Sequence, residues 1–254
     1  MLSRSRALVF RMLFIDAREG LSGDMLLAAM IGLLDDDERR SISERMKAAA
    51  FAHGLEFELL SIEESGEPGL GISYREPEPL VVQETSYEQC FSVLAEMEGQ
   101  IGSNAPAARA ILRVIFEAEG KAHGLPPEEV HLHEIARPQA MLNIAAIGHL
   151  SQRLIEVTGG TFVGSTITTG RGIVVVSHGA VRVPPPASLA LLKDMMHQPG
   201  DAPGERATPT GIASVKALIH HQSDIVPSEF KKKSIGFGTR RFAGRLGRTA
   251  LLRT

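Results

Sequence analysis

The chain has 254 residues, is 43% hydrophobic and carries a formal net charge of −3, so it can bury a sizeable core. Its lysines and arginines are spread out apart from Lys231, Lys232 and Lys233, which read as a solvated turn, and no basic face argues for nucleic acid. A single cysteine, Cys90, excludes an intrachain disulfide and a cysteine-built metal cage and fits a reducing cytoplasm; its helical surroundings predict a buried thiol.

The opening MLSRSRALVFRMLF fails as a signal peptide: Arg11 interrupts a short apolar run, Asp16 follows, and no small-x-small cleavage site appears. No apolar run reaches the roughly 18 residues that a membrane span needs. The reading is an N-terminal extension over 1–11, with Met12 a candidate start, and one α+β domain over 12–254.

Residues 13–16 read as a short buried strand. In GLSGDMLLAAMIGLL, Ser22 is a good N-cap, Asp24 sits where the helix dipole favours a carboxylate, and 25–34 form an apolar helix. Strand, glycine-bearing turn and helix N-terminus together make an anion site, although neither nucleotide fingerprint is met. The alternative for Ser22 is capping alone. The G-x-S-x-G elbow of serine hydrolases is missing, because its fifth position is Asp24. A second amphipathic helix covers 37–53, closed by Gly54. Residues 57–63 and 71–75 read as a hairpin joined by SGEPGLG, and REPEPLVVQE as an exposed linker. Helices follow over 87–100 and 105–124, with Asn104 capping the second and His123 complementing its dipole.

The densest group of titratable side chains lies in EEVHLHEIARPQAMLNIAAIG, 128–148. In extended backbone His131 and His133 point the same way while Leu132 points inward, and two neutral imidazoles suit zinc or nickel. Glu134 faces them only if the chain bends. Pro138 is placed to start a helix in which Met141, Leu142, Ile144, Ala145 and Ile147 fall at helical spacing. The plainer alternative is a solvated His-x-His pair at a strand edge.

Beyond this cluster, 162–168, 173–176 and 180–183 are β-branched runs separated by glycine-bearing turns, which predicts an antiparallel meander. Pro184, Pro185 and Pro186 end the last run and set up a short helix over 187–196. Thr208-Pro-Thr-Gly opens another helix, continuing over 212–220, whose free N–H groups can hold a phosphate or carboxylate; His220 and His221 close it facing water. IGFGTRRF and TALLRT read as two final strands. This mixed order of strands, hairpins and helices predicts an α+β fold with a mixed, largely antiparallel sheet packed with several helices.

Five segments in order, IDAREGLSGDMLLAAM, EAEGKAHGLPPEEVHLHE, GRGIVVVSHGAVRVPPPASLALLK, ERATPTGIASVKALI and IGFGTRRF, together resemble the nickel insertion proteins of the LarC family, which mature the nickel-pincer cofactor of lactate racemase. The resemblance implies a cytoplasmic metal chelatase that places nickel into pyridinium-3,5-bisthiocarboxylic acid mononucleotide, forming carbon–nickel and sulfur–nickel bonds, with CTP consumed and a divalent cation, Mg or Mn, present. It covers the family's N-terminal portion, and so implies a separate CTP-binding polypeptide as partner; it also implies a homo-oligomer. Carried over residue by residue, it assigns catalysis to Asp16, Asp24 and Glu134, and the mononucleotide to Ser22, Gly23, Thr208, Thr210 and Gly211. Nickel falls to His123, His131, His133 and His178. Neutral histidines can hand nickel on, and carboxylates can bind a hard cation or accept the proton lost when carbon is metallated.

The resemblance breaks where the family pattern has acidic residues and this chain has Gln139, Asn143 and Arg241, changes that weaken a divalent-cation site. The tract 76–90 also contains no histidine, which argues against nickel storage there. Two expectations therefore stand side by side: a working nickel insertase subunit, and a mononucleotide-binding or assembly module that kept the fold and lost the chemistry.

Overall fold

The computed structural model describes residues 11–77, 84–132, 136–176 and 179–254. β1 (Met12–Asp16) leads into α1 (Gly23–Leu33), followed by α2 (Asp36–Ala52) and the hairpin of β2 (Glu56–Glu64) and β3 (Glu67–Arg75). Three helices come next, α3 (Tyr87–Gln100), α4 (Pro106–His123) and α5 (Pro138–Thr158). The chain continues through β4 (Thr161–Gly164), β5 (Ile167–Arg171), β6 (Ile173–Val176), β7 (Gly179–Arg182), α6 (Pro186–Leu192) and β8 (His197–Pro203). It ends with α7 (Pro209–Leu218), β9 (His221–Gln222), β10 (Lys232–Phe242) and β11 (Arg245–Arg253). Seven strands form one mixed sheet in the order β2-β3-β10-β11-β1-β4-β9. Its antiparallel pairs are β2/β3, β10/β11 and β11/β1, the first two with the longest registers, while β3/β10, β1/β4 and β4/β9 are parallel. The α+β expectation holds. Among the described residues no helix is long and apolar enough to cross a membrane.

β1 is buried on both faces, which is why its sequence is a continuous apolar run rather than an alternation. Leu13 and Ile15 point into the main core beneath the helices, while Phe14 joins Val163, Ile235, Phe237 and Leu252 in a smaller cluster on the other face. On the helix side the middle of β10 presents Ser234, Gly236 and Gly238, and α1 settles directly on this strip of small residues. A Cβ on Gly236 would fall on the carbonyl oxygen of Met25, and one on Gly238 would lie 3.1 Å from its Sδ. Nearly every side chain of α1 is therefore buried, as expected of a helix that is apolar all round.

Several sequence expectations need correction. SGEPGLG is not a long connection: Ser65 and Gly66, both at positive φ, make a two-residue turn and β3 starts at Glu67. Asn104 does not cap α4. The N-cap is Ala105, whose N–H donates to Glu98 Oε1 at 2.9 Å, a carboxylate supplied by the preceding helix. The expected meander is only the β6–β7 hairpin. The run 162–168 splits because Ser165 Oγ accepts from the Ala17 N–H at 2.8 Å and ends β4, after which β5 pairs in parallel with β8. The helix expected over 187–196 stops at Leu192, where Lys216 Nζ donates to the carbonyls of Leu191 and Lys193. The lysine triplet is no free turn either, since Lys232 Nζ donates to the Leu33 and Leu34 carbonyls at the end of α1 and Lys233 Nζ meets Glu67. The linker expectation falls largely on 78–83, outside the described residues.

The seat of α1 on β10 leaves no room for a methyl group at residue 236. Gly236→Ala is expected to lower stability by about 3 kcal/mol or more in urea denaturation, whereas Gly99→Ala, in open space near the end of α3, is expected to change it by less than about 1 kcal/mol, in the stabilising direction.

Candidate functional site

Backbone bonds stitch the approach to α1 onto the approach to α7: the Leu21 N–H donates to Arg206 O at 2.9 Å, and the Thr208 N–H to Leu21 O at 2.8 Å. The contact needs glycine on both sides. A Cβ on Gly211 would lie 2.8 Å from Leu21 O and from Ser22 Cα, and one on Gly23 would lie 3.0 Å from Thr210 Cγ2. The two helix entrances read from the sequence thus lie side by side. Ser22 Oγ accepts from the Met25 N–H and Thr208 Oγ1 from the Gly211 N–H, each at 3.4 Å, so both hydroxyls serve as caps.

Ser22, Asp24 and Thr208 line one cavity of about 150 Å³, together with Arg206 from the approach to α7 and Arg240 and Phe242 from β10. Burial raises the pKa of the half-buried Asp24 carboxyl, against the opposing pull of the Ser22 hydroxyl, the first N–H groups of α1 and the charge of Arg240. Tyr74, whose phenol is pushed well up by burial and then by the Asp24 charge, donates from its hydroxyl to Asn143 Oδ1 at 2.7 Å. The Arg206 guanidinium lies over the Phe242 ring, 4.7 Å from its centroid, and bonds Asp201 at 2.8 Å, yet among the described residues its buried Nε has no hydrogen-bond partner. Arg240 is exposed.

Of the residues singled out in the sequence, Ser22, Asp24 and Thr208 line this cavity, while Gly23, Thr210 and Gly211 form the close contact of the two helix entrances beside it. Asp16 does not line this cavity: its carboxylate is gripped by Arg18 at 2.7 and 2.8 Å, beside a second cavity that also holds Glu19 and Arg248. His123 is exposed at the end of α4, 3.5 Å from Glu119, and His131 is exposed. His133, Glu134 and His178 lie outside the described residues, and among the described residues no group of three or more His, Cys, Asp or Glu could hold a metal ion. Arg241 turns to Glu64 at 2.9 Å and to the Gly244 carbonyl. Cys90 is buried as expected, its thiol pushed up to about 12 by burial. Sequence reading missed Arg206, Arg240, Phe242 and Tyr74. The first three sit in ERATPTG and IGFGTRRF, but nothing local marks them as neighbours.

Fold and cavity together describe an α+β protein with paired helix entrances, two guanidinium groups and a half-buried carboxyl around one small cleft. The chain belongs to the nickel insertion protein family, whose model matches residues 13–253. It is 31% identical over 92% of its length to a Geotalea daltonii protein whose name also refers to nickel insertion, covering 58% of that protein. It is similar to two pyridinium-3,5-bisthiocarboxylic acid mononucleotide nickel insertion proteins. The one from Staphylococcus saprophyticus is 29% identical over 91% of this chain and 56% of the relative, and the one from Thermotoga sp. strain RQ2 is 30% identical over 82% and 53%. The chain therefore spans little more than half the length of these relatives. No solved structure matches it.

The raised pKa of Asp24 has a stability consequence of definite sign. The folded chain holds that proton more tightly than the unfolded chain, so the contribution is fully present below the ordinary aspartate value of 3.8 and is lost as pH rises through the folded pKa. Asp24→Asn is expected to be more stable than the parent at pH 7, with the gap closing as pH falls toward 3.8 in urea melts; a gap independent of pH contradicts the assignment.

Proposed function

We propose that this chain is the substrate-holding part of a nickel insertase, keeping pyridinium-3,5-bisthiocarboxylic acid mononucleotide in the cleft between the α1 and α7 entrances while nickel is delivered as cargo. The observation that carries this reading is that a half-buried carboxyl, Asp24, and two helix N-termini line one cavity. Helix N-termini favour a phosphate. A carboxyl of raised pKa is a better proton acceptor than an ordinary one, as forming a carbon–nickel bond requires when the ring carbon loses its proton. Family membership and the names of the staphylococcal and Thermotoga relatives support the choice of substrate.

His131, with His133, Glu134 and His178, is the proposed path for nickel, on the strength of the resemblance and of the affinity of neutral imidazole for this metal. On the strength of the resemblance, CTP and its Mg or Mn ion are assigned to the portion of the relatives that this chain does not match, with a partner polypeptide as its proposed carrier. The buried, unreactive Cys90 suits a reducing cytoplasm. The second reading, a binding or assembly module, is favoured by one observation: Asn143, 7% exposed, offers an amide already engaged by Tyr74 where a second carboxylate would strengthen a cation site.

Calorimetry with nickel chloride separates them. The insertase reading expects binding that weakens about tenfold or more in the His131→Ala/His133→Ala variant, and nickel transfer when the mononucleotide, CTP and the partner are supplied. Nickel binding unaffected by the double substitution defeats the histidine path, and mononucleotide binding without nickel transfer selects the module.

A further inference from the structure

We propose that Arg206 and Arg240 are the phosphate ligands of this cleft, so that it separates a pyridinium mononucleotide from the corresponding riboside by charge rather than by ring. The inference rests on the mononucleotide reading above and assigns its two ends. The entrance of α1 already carries a carboxyl, Asp24, in its first turn, whereas the first turn of α7 has no acidic residue. An incoming anion is therefore better placed toward the Thr208 cap than beside Asp24; Pro209 has no N–H there and Thr208 Oγ1 takes that of Gly211, so the donors come from the arginines. Arg206 stands two residues before the Thr208 cap and lines the same cavity. Its guanidinium is fixed by the Phe242 ring and by Asp201, so little freedom remains to be lost on binding. One of its N–H groups, at Nε, is buried with no acceptor among the described residues, so the guanidinium is not fully satisfied by the protein. Arg240 reaches the cavity from β10, and among the described residues it has no hydrogen-bond or ion-pair partner. Two guanidinium groups arriving from separate elements suit the several oxygens of a phosphate. The Asp24 side of the cavity is then left to the cationic pyridinium ring, which puts the reacting carbon at Asp24.

The test is calorimetry on the full chain with two probes, nicotinic acid mononucleotide and nicotinic acid riboside, which share ring and carboxylate and differ in the phosphate. The parent is expected to prefer the mononucleotide by about tenfold or more, and Arg206→Gln and Arg240→Gln each to cut that preference about tenfold while leaving riboside affinity unchanged. Arg241→Gln, which removes a guanidinium engaged by Glu64 outside the cavity, is expected to keep it. Should Arg206→Gln unfold the chain by freeing Phe242, the exposed Arg240 still decides the matter. A parent without preference, no binding of either probe, or a preference that survives in Arg240→Gln overturns the proposal. Nickel transfer that fails while the arginine-dependent preference persists removes the insertase reading and keeps the phosphate site. Transfer that succeeds without the arginine dependence removes this proposal alone.

Discussion

Gly236 leaves no side chain between β10 and the first turns of α1, whose backbone lies where a Cβ would otherwise be, and Gly238 makes room for the Met25 thioether. Packing of this kind fixes distance more tightly than side-chain contact does, because the interior has no slack to absorb an extra methylene. It brings the N-terminus of α1, with Ser22 and Asp24, over the end of β10 where Arg240 and Phe242 emerge. The two bonds between Leu21 and the 206–208 backbone then draw in α7, and Gly211 removes the side chain that would keep the helices apart. Three separate elements, α1, α7 and β10, meet at one cavity through glycines.

The electrostatics of the cleft follow from that arrangement. Asp24 lies in a first turn, where the helix dipole stabilises its charge, but it is also removed from water, and the desolvation prevails over the dipole and over Arg240. The outcome is a carboxyl more basic than a surface aspartate, held by Ser22. Arg206 is positioned differently: a ring takes its face and a carboxylate one end, so that the charge is oriented without being neutralised from every side.

What the sequence made legible was local. Ser22 and Thr208 cap helices because cap and first turn are neighbours along the chain, and Gly124 and Gly159 end α4 and α5 at positive φ for the same reason. Where a helix end or a strand depends on a distant group, the pattern carried no trace of it. Glu98 replaces Asn104 as the cap of α4 from another helix, and Ser165 ends β4 by bonding Ala17. β8, HQPGDAP, pairs with β5 although two prolines and a glycine give it no alternation to read. The cavity was half legible on the same principle. Its helix entrances announce themselves, whereas Arg206, Arg240 and Tyr74 acquire meaning only once β3, β10 and α7 are packed around α1.

The departures from the family pattern can be weighed by where they stand. Arg241 points away from the cleft, where it closes the β10–β11 turn through Gly244 and holds the Glu64 carboxyl below its usual range; an acidic residue there would face Glu64 and lose both contacts. Asn143 does not line the cleft but is packed near Gly23, next to Asp24 in sequence, and accepts from Tyr74. A carboxylate in its place would put a second negative charge beside Asp24 in the same poorly solvated region, and two such acids drive at least one pKa further up. With an amide there, the hydrogen bond to Tyr74 is kept and no second carboxyl competes with Asp24. The substitution that weakens a cation site therefore simplifies a proton site, and the cleft is better suited to accepting a proton from a bound substrate than to caging a metal of its own.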